Sequence, residues 1–172
     1  MWSLSEVGAL VQKAARGAGI PLGQAEDLGQ VAVYLAGTGG DVTLITQALE
    51  EPIGAVDVHW HAEWLEVRAG PAALIAPIVR DAFQMGFDYV VLIEPLQSDL
   101  IIAYLAQSGM NATQTADAIK RGAVAAPQKP VGPVEIPDTD WTLWEKLAAK
   151  TYVPESTASR VAGAGAGLTD ND

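Results

Sequence analysis

The sequence predicts an α+β fold, with a three-layer α/β arrangement as the variant to weigh against it. Three observations lead there. Across residues 4–35 apolar side chains recur at helical spacing, in two runs separated by glycines. From Val56 the apolar period drops to two, the period of a strand. Tyr89 to Ile93 is then an unbroken apolar run, and a helical stretch separates it from the period-two segment. The expected parts are an N-terminal helical hairpin, a small mixed sheet with a crossover helix, a C-terminal helix and an extended Gly-rich tail.

Ser3-Leu4-Ser5-Glu6 reads as a capping box, with Ser3 as N-cap and Glu6 reaching back. Leu4, Val7, Leu10, Val11, Ala14 and Ala15 then form one helical stripe, ended by Gly17 and Gly19. Pro21 restarts the chain at a favoured first-turn position. Leu22, Ala25, Leu28, Val31, Ala32 and Leu35 make a second stripe, closed by Gly37, Gly39 and Gly40. The short joint makes the two helices an antiparallel hairpin. Asp41 to about Glu50 reads as a third short helix, with an extended Val42 to Ile45 as the alternative.

Val56, Val58, Trp60, Ala62 and Trp64 alternate with Asp57, His59, His61 and Glu63, giving one buried and one polar strand face. Trp60 and Trp64 are expected on the core side. Leu65 to Arg68 continues this strand or returns as a hairpin arm. Gly70-Pro71 opens a helix to about Gly86, which Pro77 kinks or delays. The run from Tyr89 to Ile93 is expected to be an interior strand covered on both faces. Residues 63–93 therefore form a strand–helix–strand crossover with parallel strands. A helix over Ser98 to Gln107 follows. Asn111 with Gln114 suggests the cap of another, ending at Lys120-Arg121-Gly122. Prolines 127, 130, 133 and 137 mark residues 123–137 as a surface connector. Trp141, Trp144 and Leu147 mark a final helix, its tryptophans either core or an interface anchor. Residues 152–172 form the tail.

Composition bounds the function. With 172 residues, one domain over 1–172 is expected. Apolar content of 49% against 18% charged argues for a packed core rather than a disordered chain. A net charge of −11 argues against nucleic acid and against an anionic membrane surface. No cysteine is present, which removes disulfides, thiolate chemistry and cysteine-held zinc. No basic-then-apolar leader and no run near the roughly 18 apolar residues of a membrane span is visible. The expectation is a soluble cytoplasmic protein.

Polar constellations on three segments carry possible chemistry. Asp57, His59, His61 and Glu63 share one strand face and include both histidines of the chain. Imidazoles with carboxylates suit a divalent metal such as zinc, iron or manganese. The plainer alternative is a solvated strand face. Arg68 and Glu94 fall near the carboxyl ends of the parallel strands, where open sheets bind ligands. Arg68 would then recognise a carboxylate or phosphate and Glu94 act as acid or base; otherwise they form an ion pair at the sheet edge. In the tail, Gly163, Gly165 and Gly167 free the backbone to cradle an anion, with Arg160 supplying charge. Asp170, Asn171 and Asp172 suit a cation instead. Packing along the domain or a neighbouring subunit is the alternative for the whole tail.

Several segments resemble an uncharacterised bacterial, proteobacterial, family: the domain of unknown function numbered thirty-seven twenty-six. They are Ser3-Leu4-Ser5-Glu6-Val7, Lys13 to Gly19, Gly23 to Gly29, Ala69-Gly70-Pro71-Ala72, and the tail from Thr151 to Asp172. The resemblance does not place the middle, roughly residues 40–65, where this chain is short. The resemblance implies that Arg16, Glu26, Arg160 and the glycine tail belong to a common design. It brings no activity and no catalytic residue. The leading expectation is a small-molecule enzyme, or an accessory subunit, acting on an anionic metabolite. The alternative is a non-catalytic protein that forms homo-oligomers, with the tail and the Trp141/Trp144 helix clasping a neighbour.

Overall fold

Ser3 caps the first helix as its spacing requires. Its hydroxyl accepts from the Glu6 amide at 3.2 Å, while the Glu6 carboxylate accepts from the Ser3 amide at 2.8 Å. A computed structural model of the chain describes residues 1–93, 97–124 and 126–152. In it, α1 (Leu4–Gly17) and α2 (Leu22–Thr38) form the hairpin. The pairing is antiparallel: Gly8 faces Gly29, and Gln12 Nε2 donates to Glu26 at 3.4 Å. Gly39 ends α2 in the left-handed conformation, with φ of 75°. Asp41 accepts from the Thr43 amide at 2.9 Å, and α3 (Thr43–Glu50) follows.

The α+β class holds. Among the described residues, six helices accompany a five-stranded mixed sheet of order β1-β2-β3-β5-β4. Strand β1 (Asp57–Trp60) pairs antiparallel with β2 (Leu65–Ala69), so the hairpin alternative is the correct one. Helix α4 (Ala72–Gln84) crosses from β2 to β3 (Tyr89–Leu92), and those two strands are parallel. Pro77 lies inside α4, which runs on through it. After α5 (Ser98–Gln107) the expectation fails. Residues 110–124 are not a helix but a second hairpin, β4 (Met110–Gln114) and β5 (Ala118–Val124). Asn111 and Gln114 imitate a cap, but Thr113 and Thr115 favour extended backbone. The turn closes at Thr115, whose amide donates to the Ala118 carbonyl at 2.8 Å.

Helices α4 and α5 pack together and cover one side of the sheet, α4 against β2 and α5 against β4. Leu65, Val67, Val90 and Ile119 point into that layer and are fully buried. Behind it lie α1, α2 and α6 (Asp138–Ala149). Trp144 is fully buried and donates to Thr46 at 3.0 Å; Trp141 stacks on Trp2 at 3.6 Å. Both late tryptophans are buried in the described fold, Trp144 fully and Trp141 at the edge of a surface pocket. The Pro-rich connector is a strap rather than a loose spacer. Val131 donates to the Gly37 carbonyl at 2.8 Å, Trp2 and Val134 exchange backbone hydrogen bonds, and Val134 and Ile136 are buried. Gly37 has to be glycine here, because a Cβ would stand 2.5 Å from the ring of Pro130.

Candidate functional site on the outward face of the sheet

The sheet's second side carries four of the sequence-derived candidates, Asp57, His59, His61 and Arg68. In β2, Leu65 and Val67 face the helices, so Glu66 and Arg68 face outward. Register then assembles the face. His59 lies opposite Glu66, Val91 beside Glu66, and Ala118 beside Val91. Lys120 lies opposite Tyr89. Trp64, just before β2, stacks on Tyr89 with ring centroids 6.3 Å apart, and His61 stacks on Trp64 at 3.7 Å. A row of rings, His61–Trp64–Tyr89, thus crosses the sheet beside a row of charged groups.

Trp64 departs from its expected side, whereas Trp60 keeps to its own but is left half-exposed. The alternation that put both on the core face is interrupted at the hairpin turn, where the His61 amide donates to the Trp64 carbonyl at 2.9 Å. A turn inside a period-two run resets which side is inward. Trp64 joins the outward row. Trp60 stays on the helix side of edge strand β1, where Phe87 meets it edge-on at 5.6 Å, and it is 49% exposed. Ala62 and Glu63 are exposed turn residues beside a cleft of about 120 Å³.

Glu66 is the residue that sequence reasoning missed. Its side chain is only 12% exposed although it stands on the outward face. What covers it is its own neighbours. Arg68 donates to Oε1 through Nε, and the His61 ring nitrogen lies 3.6 Å from Oε2. The Arg68 hydrogen bond holds the Glu66 carboxyl below its ordinary value of 4.5, against the opposing pull of desolvation. In the same way Glu66 raises Arg68. The available signal was the i, i+2 spacing of Glu66 and Arg68 on one strand, which places them side by side. Arg68 was instead matched to Glu94, which lies outside the described residues.

The histidines divide between two acids. His59 Nε2 is 3.0 Å from Asp57, and His61 is beside Glu66. Among the described residues, no three histidine, aspartate or glutamate side chains converge on one point. Arg160, Gly163, Gly165, Gly167 and the terminal acids also lie outside the described residues. Chemically, the face offers stacked rings, an ion-paired carboxylate and the cations of Arg68 and Lys120 on a surface rather than in a cleft.

Residues 2–43 match a family described as Protein of unknown function (DUF3726). The DUF3726 match spans α1, α2 and the turn into α3, and includes Arg16 and Glu26, both exposed. It contains none of the residues of the sheet face. The description carries no activity. Comparison with the curated proteins and with the solved structures finds no match to this chain. Among the described residues, no helix is long and apolar enough to cross a membrane.

Proposed function

We propose that this protein works by self-association, two copies meeting through the outward faces of their sheets. The observation that carries this reading is the make-up of β3. Tyr-Val-Val-Leu is the composition of a strand covered on both sides, yet only Val90 is fully buried, and Tyr89, Val91 and Leu92 are half-buried. The described helices lie on one side only. Ile93, directly after the strand, is 58% exposed. Aromatic rings and arginine are the residue types that anchor protein interfaces, and this face carries Trp64, Tyr89 and Arg68.

Charge selects a second copy as the occupant. The chain as a whole carries −11, which opposes approach of like to like. On the outward face, however, Lys120 and Arg68 offset Asp57 and Glu66. It is a surface on which two strongly acidic copies can meet without that penalty. A catalytic reading fits the face less well. A carboxylate held ionised by arginine is a poor proton acceptor, and small-molecule sites are concave.

Sedimentation velocity on the parent and on a Trp64→Glu/Tyr89→Glu variant tests the proposal. The parent should sediment as a dimer that dissociates on dilution. The variant, with carboxylates in place of rings on an outward face, should keep its circular dichroism spectrum and sediment as a monomer. A parent that is monomeric throughout, or a folded variant that associates as the parent does, would refute self-association through this face.

A further inference from the structure

A second feature lies away from the sheet face and shares no residue with it. Where the connector strap crosses α2 and the end of α5, it forms one wall of an open cavity of about 410 Å³. That volume lies within the range of small-molecule pockets. We infer that this cavity binds a small organic anion with a flat apolar body.

The wall supports each part of that description. Val33, the Tyr34 ring, Pro127 and Pro130 supply apolar surface for the body of a ligand. Among the described residues Lys129 is the charged group of the lining, and no carboxylate lines the cavity. In a chain with 21 acidic residues against 10 basic ones, a wall with a lysine and no acid is a local reversal of sign. Carboxamides supply the remaining polarity. Gln30 engages its carboxamide oxygen with Gln107 Nε2 at 3.3 Å, which leaves the Gln30 amide hydrogens for an acceptor. An anionic acceptor meets both those hydrogens and Lys129; a cationic ligand meets neither. Glu26 is kept to an adjoining groove on the far side of Gln30 and Val33.

One end of the cavity wall is also preformed. The strap is pinned at Val131 by the Gly37 carbonyl, and Pro130 rests on the bare backbone of Gly37. A wall fixed before binding gives up less conformational entropy when the ligand arrives.

The test uses 2-naphthoate and its uncharged isostere 2-naphthamide, titrated into the full chain and followed by amide chemical shifts. Naphthoate should bind at least about threefold more tightly than naphthamide, the scale of one partly exposed charge pair. The shifted amides should be those of Gln30, Tyr34, Gln107 and Lys129. Lys129→Glu should remove the preference for the acid, and Lys129→Arg should retain it. No naphthoate binding, equal binding of acid and amide, a preference that survives Lys129→Glu, or shifts confined elsewhere would each overturn the inference. The outcome is independent of self-association, because the Trp64→Glu/Tyr89→Glu variant keeps this cavity and should bind naphthoate as the parent does.

Discussion

At the scale of single residues, Glu66 shows how a surface can hold a charge without a pocket. Its carboxylate is shielded by Arg68, His61 and the flat of the sheet, not by the core. Because Arg68 lowers its folded-state value, the stabilising contribution of Glu66 is present above the ordinary value of 4.5 and is lost as pH falls through the depressed one. Thermal melts of the parent should therefore lose stability as pH falls below that value. Glu66→Gln should lower the melting temperature at neutral pH, since Arg68 then lacks its anion, and should flatten that acid limb. A variant that keeps the full acid dependence would assign it to other carboxylates.

At the scale of elements, the tightest joint is between α1 and α6. A Cβ on Gly17 would lie 1.9 Å from the Leu147 carbonyl oxygen, so the helices meet backbone to backbone. Alanine there cannot be relieved by moving a side chain. Gly17→Ala should cost about 1–3 kcal/mol, as overpacking does, despite the better helix propensity of alanine. Urea unfolding of the two proteins measures this; an unchanged midpoint would mean that α6 shifts freely. The same segment shows what was legible in the sequence. The capping box, both stripes of the hairpin and the crossover from β2 to β3 follow from periodicity and caps, which are local signals. The β4–β5 hairpin was hidden because its cap-like Asn111 and Gln114 outweighed its threonines. The Glu66–Arg68 pair was legible in principle, from spacing alone. The cavity was not, because it depends on where a strap with no periodicity crosses α2.

At the scale of the whole molecule, the described helices shield one side of the sheet and leave the other bearing rings and balanced charges. Self-association would complete a core that the described residues leave half-covered, which is why the rings of Trp64 and Tyr89 are expected to matter more to assembly than to folding. The absence of cysteine makes the direct measurement simple. Gln114→Cys, exposed on edge strand β4, takes a single nitroxide label. Labelled copies are mixed with nitrogen-15-labelled parent, and amide signal loss between copies is read by NMR. Face-to-face association should broaden amides around Glu66, Tyr89 and Lys120 and spare α1 and α6. Broadening centred on α1 and α6, or none at concentrations where the protein is dimeric, would contradict it.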